Sequence, residues 1–269
     1  MKFSNKFGWF LAGLFAGAIP SVSIFLLGFQ PEQARKASGM AALLAPNLKG
    51  AELCRQNLGI KETTSPVDAS NYGIRRPFDK AGRWVPNKPS LIVLHETVLP
   101  LAETLQLFAT PHPNDLNQVS YHFVLARNGS LYRLVPDELR AFGAGWSAWG
   151  DFSIRHNGPK TALAGGSINN VALHISLVSP NDGSGSGDGH SGYSNPQYEQ
   201  LAKQVLVWQL RWGIPMRRIT SHGAVDRSHT RSDPRSFRWH LFDRAWQQAA
   251  KRCKVPADYG IDAMEKITK

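Results

Sequence analysis

Cysteine is scarce in this chain, with only Cys54 and Cys253 among 269 residues. That excludes a small disulfide-dense scaffold and leaves room for at most one internal bridge. Acidic side chains are also in deficit: 20 stand against 31 basic ones, giving a net charge of +11 and a pI near 9.9. This balance either draws the protein to anionic polymers and lipid headgroups or simply aids solubility. No internal repeat is present, which removes solenoid architectures. No aromatic-basic RNA motif or DNA-binding pattern occurs either, so nucleic acid is not expected as a partner. What the chain does have is an ordinary apolar fraction and the length for one sizeable domain, expected to act as a monomer.

The first 30 residues bear on the compartment. Lys2 and Lys6 precede an uncharged run from Phe7 to Phe29, which contains Ala16-Gly17-Ala18 ahead of Ile19-Pro20. Residues 1–30 read as a signal peptide or as a signal anchor long enough to span a bilayer. With the lysines inside, both readings carry the remainder across the membrane. Export to the periplasm or cell envelope is expected, with anchoring in the inner membrane left open. In an oxidising compartment Cys54 and Cys253 could bridge; the alternative is two buried thiols.

Residues 31–85 look like an extension or linker, with a short helix between Gln33 and Leu43 and loop chemistry at Glu62–Pro66 and Asn71–Gly73. The main domain is expected over 86–252 and a tail over 253–269. Leu101, Leu105 and Phe108 have helical spacing, stopped by Pro111 and Pro113. Tyr121–Ala126 and Ser130–Val135 flank Asn128-Gly129, a hairpin signal. Val171–Val178 is a further strand, and the Gly/Ser-rich stretch Asn181–Asn195 reads as a mobile loop. Asn195-Pro196 opens a helix with Tyr198, Leu201, Val205, Trp208 and Trp212 on one face. A last helix covers about Leu241 to Lys251. Strands alternating with helices define an α/β fold, a central mixed β-sheet flanked by helices.

The most informative feature is a pair of histidines. Ser90–Thr97 reads as a strand buried on both faces, and His95 sits at its end, at the rim of the sheet. His222 opens a polar loop that runs to Asp233-Pro234. Two imidazoles and one carboxylate, with one position left for water, is a common ligand count for catalytic zinc. Taken alone, His95 is as well explained as a satisfied core histidine.

Four blocks in order resemble the zinc-dependent N-acetylmuramoyl-L-alanine amidases of the type-2 group, relatives of phage amidase lysozymes and of peptidoglycan recognition proteins. They are Leu91–Thr97, Ser120–Val124, Asn170–Val178 and His222–Pro234, spanning about residues 86–250. The resemblance implies Zn²⁺ held by His95, His222 and Asp233, and a peptidoglycan substrate. It also implies Tyr121 and Arg231 as catalytic groups. The loop from His222 to Asp233 is one residue longer than usual, so His229 competes with Asp233 as third ligand; Asp233-Pro234 matches the family pattern better. His229 is then a substrate-facing or exposed residue. Arg231 stands where the family often has a lysine, and its charge serves the same oxyanion. Trp146, in the stretch Gly145–Trp149, is either a substrate contact or a loop anchor.

Ser176 is the clearest departure. Many bacterial members carry a glutamate there as proposed general base, whereas Ile175-Ser176-Leu177 resembles the recognition-protein branch and makes Ser176 a substrate-side residue. His174 replaces a usual glycine and shares a strand face with Ser176. It is a stand-in base or a packed histidine. His122, on the face opposite Tyr121, reads as structural. The expected function is hydrolysis of the amide between N-acetylmuramic acid and L-alanine; the alternative is a non-catalytic peptidoglycan-binding or sensing module of the same fold.

Overall fold

Two adjacent parallel strands carry the domain. β-Branched and bulky apolar residues favour the pleated state in Leu91–Glu96 and Ala172–Leu177, and every residue of both is buried. The computed structural model describes residues 44–79, 81–149, 166–185, 187–257 and 259. The expected signal segment and the expected helix at Gln33–Leu43 lie outside the described residues. Among those described, no helix is long and apolar enough to cross a membrane.

In chain order the elements are α1 (Leu48–Asn57), β1 (Glu62–Thr64), β2 (Tyr72–Ile74), β3 (Leu91–Glu96), α2 (Leu101–Ala109), β4 (Phe123–Leu125), β5 (Leu131–Arg133), β6 (Leu139–Ala141), β7 (Ala172–Leu177), α3 (Asn195–Trp212), β8 (Ile219–Ser221), α4 (His222–Val225) and α5 (Trp239–Arg252). Six strands form one sheet in the order β1-β5-β4-β7-β3-β8, and β2 pairs with β6 apart from it. β3, β4, β7 and β8 run parallel, while β5 is antiparallel to β4, so the sheet is mixed as expected.

Strand alternation sorts the core. Ile92, Leu94, Leu173, Ile175, Leu177, Phe123 and Leu125 face one helical layer, α1, α3 and α5, in the largest apolar cluster. Leu91, Val93 and Ala172 face the other side, where they meet Val225, Ile168 and Trp149. His95, His174 and Ser176 continue that second face, since side chains two apart in a strand project together. A polar set is thus presented at the end of an apolar floor.

Several local readings are corrected. Glu62–Thr64 and Tyr72–Ile74, expected as loops, are short strands paired with β5 and β6. Their pairing comes from partners distant in sequence, which local turn chemistry cannot show. Helix α3 is capped by Ser194, one residue earlier than expected, through a reciprocal capping box with Gln197; such a cap is worth about 1 kcal/mol. In the β4–β5 hairpin only Gly129 takes positive φ, 88°. The Gly129 amide bonds to Ala126 O, so the turn closes over Arg127 and Asn128 with Gly129 following as a bulge. The Gly/Ser-rich stretch expected to be mobile has fixed partners. Ser191 bonds to Asp182, while Gly183 O and Gly187 O accept from Arg235.

Cys54 and Cys253 form a disulfide across 199 residues, joining α1 to the end of α5. Closing so long a loop restricts the unfolded chain, an effect worth roughly 2–5 kcal/mol on a chain-entropy account. Replacing both cysteines by serine is expected to lower the urea midpoint accordingly. An unchanged midpoint would show that the bridge contributes nothing to stability.

Candidate metal centre

His95 stands on the last turn of the β3 pleat, and His222 begins α4 directly after β8, the neighbouring strand. The parallel pairing of β3 with β8 therefore brings the two imidazoles together, with ring centroids 4.7 Å apart. Asp233 returns to them at the end of the polar loop. The His222 Nδ1 lies 3.0 Å from Asp233 Oδ1, and the Gly223 amide donates to Asp233 O at 2.9 Å, fixing the loop's end to its beginning. One ligand atom from each of His95, His222 and Asp233 falls within 4.8 Å of the others. His229 is outside this group, exposed at φ 58° on the loop. Of the two candidates for third ligand, the geometry gathers Asp233 with the imidazoles and not His229.

His95 Nδ1 points into this group. It is buried, 3.4 Å from Asp233 Oδ2, and makes no hydrogen bond. A buried nitrogen without a partner costs roughly 1–3 kcal/mol unless something satisfies it. Two imidazole nitrogens and a carboxylate are borderline donors of the kind zinc takes, so the residues present fit that ion. Protonation states agree with the fit. Burial holds the His95 imidazolium down at a pKa of about 4, against the opposing pull of Asp233. Burial also disfavours the Asp233 carboxylate, but the hydrogen bond and charge of His222, with His95 close by, outweigh it and hold that carboxyl well below its usual range. Ligation needs neutral imidazole and ionised carboxylate, the forms in which His95 and Asp233 are held near neutrality.

The other expected residues surround this group. The Tyr121 ring lies 4.6 Å from His95 and edge-on to Phe108. Burial, followed by the charge of Asp233, raises its phenol, which therefore keeps its proton. Arg231 is exposed, and its charge acts on both His95 and Tyr121. Ser176 is level with His95 across the β3–β7 pairing, and its buried hydroxyl has no hydrogen-bond partner. Trp146 is half-buried, and its carbonyl accepts from Arg227, tying the aromatic stretch to the polar loop; Trp149 is a core residue. His122 is structural as expected: its Nδ1 accepts from the His174 amide at 2.9 Å.

Sequence reasoning missed three supports, Asp226, Glu96 and Arg235. Asp226 accepts from the amides of Ser228, Thr230 and Arg231 and so shapes the loop. Glu96, beside His95 but facing the opposite side, accepts from Arg235, Tyr193, Ser179 and His190. Their signal was a charge inside an apolar strand and an arginine two residues past a ligand.

Buried neutral histidines make stability depend on pH. Burial holds His122 and His174 well below 6.5, and His95 at about 4. The unfolded chain protonates these groups near pH 6.5, so across that window it binds more protons than the folded chain. Stability therefore falls as pH falls from 6.5 towards 4. For His95 alone the loss by pH 4.5 is about 3 kcal/mol. Chelator-treated protein should show a lower denaturant midpoint at pH 4.5 than at pH 7; equal midpoints would contradict the burial argument.

Two imidazoles and one carboxylate converge at the rim of a mixed sheet, with a tyrosine ring beside them, a donor set that could hold a divalent ion. The family model for N-acetylmuramoyl-L-alanine amidase matches residues 85–236, more than half the chain, and the protein belongs to that family. Among solved structures, one described as a selenomethionine AmpD derivative is similar at 24% identity over 68% of this chain and 93% of its own, with a TM-score of 0.47. The N-acetylmuramyl-L-alanine amidase AmiD from E. coli, in complex with anhydro-N-acetylmuramic acid-L-Ala-D-γ-Glu-L-Lys, is similar at 20% identity. That match covers 67% of this chain and 66% of AmiD, with a TM-score of 0.44. No curated protein sequence matches the chain.

Proposed function

We propose that the protein is a zinc-dependent peptidoglycan hydrolase that cleaves the amide between N-acetylmuramic acid and L-alanine. The observation that carries this is the convergence of His95 Nδ1, His222 and Asp233 inside a chain of the amidase family. His95, His222 and Asp233 would hold the ion; bound zinc supplies Lewis acidity, polarising an amide carbonyl and bringing the ionisation of water towards neutrality. The remaining roles belong to the chain itself. Tyr121, kept protonated by burial, offers an O–H donor to the oxyanion that develops on the scissile carbonyl. Arg231 adds a permanent charge from the exposed side of the same group. Ser176 has no basic group to take the proton of attacking water. His229 on the exposed loop, and Trp146, whose carbonyl is tied to that loop through the Arg227 amide, are the substrate-side groups.

Soluble protein loaded with zinc and incubated with peptidoglycan should release stem peptides with new L-alanine amino termini. Ser176 in place of a carboxylate favours a second reading, a binding or sensing module. Retention on peptidoglycan without any release would establish that reading and remove the first. We also propose export to the cell envelope, supported by the Cys54–Cys253 disulfide, which suits an oxidising compartment. Fractionation that finds the protein in the cytoplasm would exclude it.

A further inference from the structure

We propose that His174 is a positioning residue that locks His95 in the tautomer able to bind metal. This rests on the metal-centre reading above. Nε2 of His95 lies 2.9 Å from Nδ1 of His174, and both rings are fully buried. Two imidazole nitrogens at that distance share one proton, and each placement fixes the far nitrogen of both rings. If His95 Nε2 carries it, His95 Nδ1 presents a lone pair towards His222 and Asp233. If His174 Nδ1 carries it, His95 Nδ1 must be protonated and aimed at the ligand group. Asp233 Oδ2, 3.4 Å from His95 Nδ1, offers an acceptor for that N–H, so ligation decides between the two. A metal on His95 Nδ1 needs its lone pair, which leaves the proton on Nε2 with His174 Nδ1 as its acceptor. A partner that fixes the remote nitrogen of a ligating histidine is a general means of setting tautomer and ring orientation.

The fold holds the acceptor in place. The His174 backbone amide donates to His122 Nδ1 at 2.9 Å, and the two rings stack at 5.8 Å with a 17° tilt. On its other side the His174 ring lies over Gly143. A Cβ on that residue would come 2.7 Å from both Cγ and Nδ1 of His174, closer than real contacts allow. Gly143 is therefore a glycine because the imidazole occupies the space its side chain would need. His174 is level with Val93 in the β3–β7 pairing, two residues below the level of His95 and Ser176 on the same strand face, so it reaches His95 from beneath. It is thus assigned the support of a ligand, and the stand-in base role is set aside.

Zinc affinity, measured by chelator competition, and the visible spectrum of the Co²⁺-substituted protein test this without reference to turnover. His174→Leu keeps the volume and removes the acceptor. It should lose about 10- to 100-fold in zinc affinity and alter the Co²⁺ spectrum. His174→Asn places an amide oxygen near the Nδ1 position and should recover most of the affinity and the native spectrum. Gly143→Ala leaves the imidazole in the chain but pushes it off its seat, and should behave like His174→Leu. The Gly143→Ala and His174→Asn pair decides the matter even where His174→Leu does not fold. Native-like affinity and spectrum in Gly143→Ala and His174→Leu would overturn the proposal while leaving the metal reading intact. Failure of the native chain to bind zinc would overturn that reading and this one with it.

Discussion

Alanine at Asp233 is expected to abolish zinc retention and to cut kcat/KM for peptidoglycan by about a thousandfold or more. The reasoning concerns charge as much as coordination. Asp233 is the single anion in the ligand group, and its carboxylate lies within 3.5 Å of both His95 and His222. Its removal leaves two neutral imidazoles to hold a divalent cation. The several kcal/mol that Lewis-acid stabilisation contributes to such reactions correspond to this loss. His95→Ala and His222→Ala should reach the same floor, because three ligands acting as one unit do not give additive losses. Elemental analysis of purified variants, paired with amino-terminus release, is the measurement. Full hydrolysis by a His95→Ala protein free of metal would end the assignment.

The second large effect is expected at Glu96, which touches none of the ligand atoms. Its carboxylate is 4% exposed and receives the Arg235 guanidinium, the Tyr193 hydroxyl, the Ser179 hydroxyl and the His190 ring. Arg235 is itself 6% exposed and has no other carboxylate partner among the described residues. Glu96→Ala therefore strands a buried cation, at a cost of about 3–5 kcal/mol. For a domain of this size that corresponds to roughly 10 °C in the thermal midpoint. Because Arg235 follows Asp233 by two residues, the same change should loosen the metal site and weaken zinc binding. Glu96→Gln retains one acceptor and should lose less. A Glu96→Ala protein with an unshifted midpoint would show that water or the neighbouring carbonyls satisfy Arg235 unaided.

How far the sequence could be read depended on where each signal lay. β3 was legible because an unbroken apolar run such as Leu91–Leu94 is needed wherever both faces of a strand are covered. β7 is interrupted by His174 and Ser176 and showed itself through its β-favouring residues and its resemblance block. His95 and His222 were legible as a pair because each adjoins such a strand. β1 and β2 were not, since three-residue strands are stabilised by partners about 70 residues away and carry almost no local pattern. Gln197 and Gln209 lie on the buried side of α3, where periodicity expects apolar residues. They are there because Gln197 reaches the Leu125 and Val178 carbonyls and Gln209 accepts from Trp246, satisfactions visible only once the helices are packed. The role of His174 was open for the same reason: alternation gave its face, and only the distance to His95 gave its partner.

The bridge between α1 and α5 has a consequence for orientation. It brings the two ends of the domain together, with the Cα atoms of Cys54 and Cys253 5.0 Å apart, and Leu44 joins the domain beside them by bonding to Gly213. All of this lies in the helical layer, behind the sheet as seen from His95. A tether attached ahead of residue 44 would grip the protein by its back and leave the His95 side turned outward, towards whatever polymer stands in front of it.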